Sequence, residues 1–265
     1  MSDAPMSDAP MSDAPMSDVG PISSPTPELL PAGADGVLVR FALSPDPVAM
    51  AAAQGFERAL EEAPLAGVIE VAPALVSLLL RFDPVQMRRA DLIATLRPMA
   101  ERAAREAGHL PDPIRRWQIP AAFGGENGPE LAPIARALGL NETTAVEQIS
   151  KADLRVLAIG FFPGQPYLGL LPERWNLPRL PELVPSVPAG AVVVAVRQIV
   201  LFGAASATGW RQVARAHFRC FDPARTEPMP LRAGDAIRFV PVSAGELAAL
   251  DTPDGMGGAR LEHLA

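Results

Sequence analysis

The sequence contains very few of the residues that usually carry metal, redox or lysine-based chemistry. Among its 265 residues there is one cysteine, Cys220, one lysine, Lys151, and three histidines. A single cysteine cannot form an internal disulfide or a multi-thiolate metal site, so we expect a reducing, cytoplasmic location. The histidines have no metal-ligand spacing such as HxH or HExxH, and the sequence therefore predicts no metal site.

Excess positive charge and long hydrophobic runs are also missing. The 23 basic residues are outnumbered by 30 acidic ones, which gives a net charge of −7 and no basic field to attract nucleic acid. No apolar run approaches the roughly 20 residues that a helix needs to cross a bilayer. We therefore expect neither nucleic acid nor membrane as a partner. Because 49% of the residues are hydrophobic, we do expect a folded core.

The first residues form a short repeat. The sequence MSDAP occurs three times in succession, and a fourth copy decays after Asp18. Proline, serine and aspartate then recur up to Pro31, a composition that cannot build a core. We therefore predict a disordered low-complexity tail over residues 1–33.

The next segment, residues 34–112, has the pattern of a small α+β domain. The predicted elements are a strand over 37–43, a helix beginning at Asp46-Pro47, strands over 67–71 and 75–82, and a second helix from Asp83-Pro84 to Gly108, kinked or split by Pro98. Each Asp-Pro pair is a cap followed by a proline suited to the first helical turn. The order β-α-β-β-α places both helices on one face of a sheet.

Residues 113–265 change to many short strands separated by glycine and proline, which favours a closed barrel. Two short helices come early, over 129–138 and after Asn141. The predicted strands are 117–123, 154–159, 191–196, 199–202, 211–214, 218–221 and 236–240. Between two of them, residues 160–169 hold three glycines, two prolines and the single tyrosine of the chain, Tyr167. This loop is shaped tightly by its residues and either lines a binding site or packs as a corner of the core.

Several motifs of the second domain occur in the order and spacing of a known family. Residues 160–168 match Gly-Phe-x-Pro-Gly-Phe-x-Tyr-Leu, with Gln165 where phenylalanine is usual. Residues 124–131, 178–179, 187–190, 209–210 and 221–223, and the closing strand from Gly234, match further family segments. The chain thus resembles the family of the 5-oxoprolinase B subunit, also called allophanate hydrolase subunit 1 or Kip-type kinase inhibitors, with carboxyltransferase subdomains C and D. The resemblance implies a ferredoxin-like domain followed by a cyclophilin-like β-barrel.

The resemblance also implies a function. Family members act with a second barrel-type protein that resembles the C subunit of 5-oxoprolinase, and with its A subunit, in hydrolysis of a small lactam or amide with ATP as cofactor. The residues that could carry catalysis are Glu126, Tyr167 and Gln198. Those that could bind substrate or phosphate are Gly164, Arg179, Ser206, Trp210 and Arg215. Each arginine could equally be a surface cation, and Trp210 could equally be part of the core.

The chain also departs from the family pattern. Ile149 occupies the place of a usual histidine, and Ile199 and Val200 replace a Thr-Gly pair. These changes remove an acid/base group and hydrogen-bond donors that could face a substrate. We therefore expect a divergent member, and keep a non-catalytic regulatory module of the Kip type as the alternative. A prolyl isomerase would rest on fold analogy alone.

Overall fold

The computed structural model describes residues 24–108 and 112–264. The N-terminal unit consists of β1 (Glu28–Ala32), β2 (Gly36–Arg40), α1 (Pro47–Glu62), β3 (Val68–Pro73), β4 (Ser77–Phe82) and α2 (Arg89–Glu106). Its antiparallel sheet has the order β1-β2-β4-β3. Alternate residues of the strands face the two helices, and the core formed there includes Val37, Leu80 and Phe56. The predicted β-α-β-β-α order is found from β2 to α2, and the additional strand β1 precedes it.

The strand β1 lies inside the range predicted as a disordered tail, so that prediction is wrong for residues 28–32. The five residues pair in register with β2, from Glu28 opposite Arg40 to Ala32 opposite Gly36. Leu29 packs against the core, and Arg40 donates two hydrogen bonds to the Glu28 carboxylate. β1 thus covers an edge of β2 that would otherwise carry unpaired backbone groups. The MSDAP repeats lie outside the described residues.

The second helix differs from its prediction at its start. Residues 83–87 form a turn in which Asp83 accepts hydrogen bonds from the Val85 N–H and from the Gln86 side chain. The aspartate therefore stabilises a turn before the helix, and α2 begins at Arg89. α2 also continues through Pro98, which is exposed, so the predicted split does not occur.

The second unit forms a barrel. Its strands are β5 (Arg115–Phe123), β6 (Leu154–Ile159), β7 (Pro166–Gly169), β8 (Val184–Val187), β9 (Ala191–Ala195), β10 (Gln198–Leu201), β11 (Ser206–Thr208), β12 (Arg211–Arg215), β13 (Ala236–Pro241) and β14 (Arg260–His263). The helices are α3 (Leu131–Ala137), α4 (Glu142–Lys151) and α5 (Ala244–Ala249). Seven strands follow the order β12-β9-β10-β7-β6-β13-β5, and β5 pairs again with β12 to close the barrel. The α+β class with a small N-terminal domain and a barrel is confirmed.

Two apolar clusters line the two sides of the barrel wall. The interior cluster includes Trp117, Ile199 and Phe239, whereas a second cluster covers the outside of β9 and β10. β8 and β11, which are separated in sequence by β9 and β10, pair antiparallel in a separate two-stranded sheet, and Val187 of β8 belongs to this outer cluster. Within the described ranges, no helix combines the length and apolarity that a membrane crossing requires.

The strand predicted over residues 218–221 is wrong. Phe218 and Cys220 are buried in the interior cluster, but their segment has no ladder partner in the described part of the chain. The Arg219 N–H donates instead to the carbonyl of Gly255. The apolar alternation that predicted a strand thus comes from an irregular segment that fills the barrel interior.

Candidate functional site

The outer face of β7, β9, β10 and β12 brings together several of the predicted site residues. In β10, Ile199 and Leu201 belong to the interior cluster, so the alternation of the strand directs Gln198 and Val200 outward. Tyr167 of β7 lies opposite Val200 and packs against the same outer cluster. Alternation of side chains therefore places Tyr167 and Gln198 on one surface.

Three of the predicted residues form a stack on this face. The Tyr167 ring meets the Trp210 ring edge to face, with 6.4 Å between the ring centroids. The Arg179 guanidinium lies 5.4 Å from the Trp210 ring centroid, within the range of a cation–π contact. Trp210 is 7% exposed and packs with the outer cluster. Trp210 is therefore a core residue that also supports Arg179, and ligand binding by Trp210 stays a prediction.

Gln198 is buried on the same face of the barrel, and its side-chain Nε2 forms no hydrogen bond within the described residues. Its side chain is almost completely buried, and among the described residues its Nε2 has no hydrogen-bond partner. Gly169 lies opposite, where an added Cβ would be 3.8 Å from the Gln198 Cγ and 2.8 Å from the Leu157 Cδ1. A glycine there leaves room beside the amide. An unpaired buried donor is costly in a protein, and a substrate carbonyl oxygen would satisfy it.

Arg215 and Glu126 lie at the side of this face. Arg215 ends β12 opposite Ala191, which belongs to the outer cluster, and its buried Nε has no partner in the described part of the chain. Glu126 is exposed in a short 3-10 helix, Gly125–Asn127, that runs along β12. Gln212 fixes this turn, since its Nε2 donates to the Asn127 carbonyl at 2.8 Å. The turn carrying Glu126 is thus attached to the same strand as Arg215.

Gly164 and Ser206 lie apart from the stack. Gly164 has a φ of +71°, and a Cβ there would be 2.2 Å from the Cys220 carbonyl oxygen. Its absent side chain lets two backbone segments approach closely. Ser206 lies in β11, where its hydroxyl donates to the Ala207 carbonyl. Ligand binding by either residue stays a prediction.

Gln165 is a residue of this face that the sequence analysis treated only as a departure from the family. It is 1% exposed, its Oε1 accepts a hydrogen bond from the Gly203 N–H, and its Nε2 is unpartnered among the described residues. It precedes Tyr167 by two residues, so the period of a strand could have placed the two on one face. Gln165 and Gln198 thus supply two buried amide donors, one at each end of the β7–β10 pair.

The departures from the family pattern lie on both sides of the barrel wall. Ile149 of α4 and Ile199 are fully buried in the interior cluster, whereas Val200 belongs to the outer cluster. The apolar side chains at 149 and 199 therefore fill the interior, and of the three only Val200 occupies space on the outer face. Within the described ranges, no group of three or more histidine, cysteine or acidic side chains is arranged to hold a metal ion.

Known proteins share both the sequence motifs and the barrel. Residues 27–231 match the family of the carboxyltransferase domain, subdomain C and D. The chain is 36% identical over 178 residues to the B subunit of 5-oxoprolinase from Escherichia coli O157:H7, covering 67% of this chain and 80% of that one. It is 31% identical over 191 residues to the B subunit of 5-oxoprolinase from Bacillus subtilis strain 168, covering 69% of this chain and 80% of that protein. The chain belongs to the family of the 5-oxoprolinase B subunit.

Solved structures share the fold. The crystal structure of TTHA0988 superposes with a TM-score of 0.65 at 31% sequence identity, over 79% of this chain and 40% of that one. The Kluyveromyces lactis urea carboxylase has a TM-score of 0.72 at 18% identity, over 91% of this chain and 24% of that one, which shows a shared fold. For this member of the 5-oxoprolinase B family, the matched range 27–231 contains β1 and every predicted site residue.

Proposed function

We propose that this chain is a cytoplasmic subunit of an ATP-dependent amidohydrolase complex of the 5-oxoprolinase kind, acting on a small lactam or amide. Its partners would be a second barrel-type protein resembling the C subunit of 5-oxoprolinase, and an A subunit. The observation that carries the proposal is the buried Gln198 Nε2, unpaired among the described residues, on the same barrel face as Tyr167, in a chain 36% identical to a 5-oxoprolinase B subunit. A buried donor of this kind fits the carbonyl oxygen of an amide.

The chemistry explains why ATP and positive charge are needed. A lactam resists hydrolysis because its amide is resonance-stabilised, and transfer of the γ-phosphoryl group to the amide oxygen would convert that oxygen into a leaving group. Water would then add to the carbon and the ring C–N bond would break, which leaves a free amine and an acyl phosphate. A second water would hydrolyse the acyl phosphate to the carboxylate and free phosphate, with ADP as the other product. Arg179 and Arg215 would neutralise phosphate or carboxylate oxygens as charge develops. Gln198 would orient the amide, with Tyr167 and Glu126 as proton donors or acceptors.

Reconstitution tests the proposal. The chain is co-expressed with A and C subunits of 5-oxoprolinase from the same organism, and glutamate release from 5-oxoproline is measured with and without ATP. We expect turnover only with ATP and the full set of subunits; no turnover with every subunit present would refute the assignment. Arg179→Ala should reduce turnover by at least about tenfold, in the range of a lost charge-assisted hydrogen bond. Arg174→Ala is the matched control, since Arg174 is also an exposed arginine of this segment and its guanidinium donates to the Leu138 carbonyl.

A regulatory module of the Kip kinase-inhibitor type is the second candidate. The observation that favours it is Phe161, which is 72% exposed at the loop between β6 and β7 and has a φ of +72°. Its ring lies edge to face with Phe162, with centroids 4.9 Å apart. An exposed aromatic pair held by a shaped loop suits a protein contact. Affinity purification that recovers a kinase, lost on Phe161→Ser, would support this candidate; recovery of only a barrel-type subunit would oppose it.

A further inference from the structure

A cavity of about 230 Å³ lies where the N-terminal domain meets the barrel. One wall is β6 of the barrel, through Leu157 to Ile159, together with the loop residue Ala233. The other wall comes from Ala53 of α1 and from residues 72–74, where β3 ends and the turn to β4 begins. These walls are hydrocarbon and are contributed by both domains. The cavity is smaller than a typical drug-sized pocket, so a ligand of a few heavy atoms would fit it.

Two polar side chains reach this cavity from the same helix. Gln54 and Glu57 are three residues apart on α1, and residues at this spacing lie on one helix face. Both are half-buried, and among the described residues Glu57 is the one charged side chain that lines the cavity. Glu61 follows one turn later. Burial, and then the charge of Glu61, raise the pKa of Glu57.

The Glu57 carboxylate forms no ion pair within the described part of the chain. Among the described residues no arginine or lysine forms an ion pair with Glu57, although ion pairs elsewhere in this domain hold Glu28, Asp35 and Glu70. A partly buried carboxylate beside a second carboxylate is stabilised by a positive charge and disfavours a negative one. The negative charge of the cavity therefore favours a ligand with a cationic group. Its apolar walls favour a ligand whose remaining part is hydrocarbon.

We propose that this cavity between α1 and β6 binds a small organic ammonium ion. Its hydrocarbon body would lie between Ala53 and Leu157, and its N–H groups would donate to the Glu57 carboxylate and the Gln54 amide oxygen. The site is separate from the outer-face stack of Tyr167, Trp210 and Arg179, none of which lines the cavity. It does not depend on the proposed hydrolysis, whose lactam substrate 5-oxoproline is an anion that Glu57 would repel.

Binding at this position would act on the junction between the domains. The ligand contacts α1 and residues 72–74 on one side and β6 on the other, so it binds fully only when both walls are present. A ligand that binds only the assembled junction stabilises that arrangement. We expect the ligand to slow hydrogen exchange of backbone amides in α1 and in residues 72–74.

Calorimetric titration of the full chain with n-butylammonium tests the proposal, with butyramide and butyrate as neutral and anionic ligands of similar size. We expect binding of n-butylammonium at millimolar or lower concentration and at least about tenfold weaker binding of the other two. Glu57→Gln should weaken n-butylammonium binding by about tenfold or more. Glu62→Gln is the matched control, because Glu62 lies on the same helix but lines the groove towards α2.

A second variant tests the location independently of charge. Ala233 is an exposed loop residue, so Ala233→Leu should leave the melting temperature unchanged while filling the cavity and abolishing n-butylammonium binding. The proposal would be overturned if n-butylammonium did not bind at millimolar concentration or if the Glu57→Gln protein bound it as well as the original chain does. Equal binding of butyrate and n-butylammonium would also overturn it. Unchanged binding by a folded Ala233→Leu protein would place the ligand elsewhere and overturn it too. Loss of hydrolysis in the reconstitution assay would leave these results unaffected.

Discussion

The Arg115 Nε and the Asp235 Oδ1 lie 3.2 Å apart where β5 begins, and both side chains are almost fully buried. The same carboxylate accepts hydrogen bonds from the Trp117 indole N–H and the Arg232 backbone N–H, and Arg115 also donates to the Pro230 carbonyl. Burial raises the pKa of Asp235 above its ordinary value. The hydrogen bonds from Arg232 and Trp117 and the charge of Arg115 act in the opposite direction but do not cancel the rise. The pair ties the loop before β13 to the first strand of the barrel.

Removing one partner of this pair should be strongly destabilising. Asp235→Ala leaves the Arg115 charge buried without its partner, and we expect a loss of about 3 kcal/mol in the free energy of unfolding. Asp153→Ala is the control, because Asp153 is 70% exposed in its pair with Arg238 and should cost less than about 1 kcal/mol. Urea denaturation of both variants gives the comparison. Equal losses in the free energy of unfolding for the two substitutions would show that the buried pair contributes no more to stability than the exposed one.

Two of the buried glutamines of the barrel, Gln198 and Gln212, should respond oppositely to the same substitution. The Gln198 Nε2 is unpartnered among the described residues, so Gln198→Leu should raise the free energy of unfolding by about 1 kcal/mol. Gln212→Leu breaks the bond to the Asn127 carbonyl and should lower it by about 1 kcal/mol. If Gln198 contacts substrate, the more stable variant will also be the less active one in the reconstituted complex. A destabilised Gln198→Leu protein would instead indicate a structural partner for that amide.

A methyl group at Gly164 should disrupt the loop between β6 and β7. Gly164→Ala places a Cβ 2.2 Å from the Cys220 carbonyl oxygen at a left-handed φ, and we expect a loss of at least about 2 kcal/mol. Gly160→Ala in the same loop meets no atom of the described residues within 4 Å and has no positive φ, so it should change stability by less than about 0.5 kcal/mol. Thermal unfolding followed by circular dichroism measures both. Similar melting temperatures for the two variants would contradict the close approach.

The cysteine should be unreactive in the folded protein. Burial raises the pKa of the Cys220 thiol to about 12, so the reactive thiolate is scarce at neutral or mildly alkaline pH. We expect no labelling by a thiol reagent in native buffer and complete labelling of one thiol in denaturant. Rapid labelling of the native chain would mean that the segment from Phe218 to Cys220 opens readily.

The sequence could predict those elements whose signals are local. The cap and proline at Asp46-Pro47 predict α1 correctly, and the Asp46 carboxylate accepts from the Ala49 N–H. The same pair at Asp83-Pro84 begins a turn instead, because its bonds to residues 85 and 86 compete with the helix. β1 is not predicted because its segment contains proline and is half-exposed, so it has no local strand signal. Only its pairing with β2 in the folded protein makes it a strand.

The candidate site was predictable only where the family motif and the strand period coincide. Tyr167 lies in the motif, and its outward position follows from alternation with Leu168. Gln198 and Trp210 come from other segments, and only the pairing of β10 with β7 and the packing of the outer cluster bring them to Tyr167. The unpaired Nε2 of Gln165 could not be predicted from the sequence. Whether a buried donor finds an acceptor depends on neighbours that are distant in sequence.

The seam of the barrel has a consequence for how the protein folds. β5 and β12 pair through only two residue pairs, Phe123 with Ala214 and Ala122 with Arg215. These partners are separated by about 90 residues, and contacts at such long separations are formed slowly. We therefore expect the N-terminal domain, whose most distant strand partners are Gly36 and Arg81, to acquire its structure before the barrel. Until β12 reaches β5, the barrel would remain an open sheet whose edges carry unpaired backbone groups.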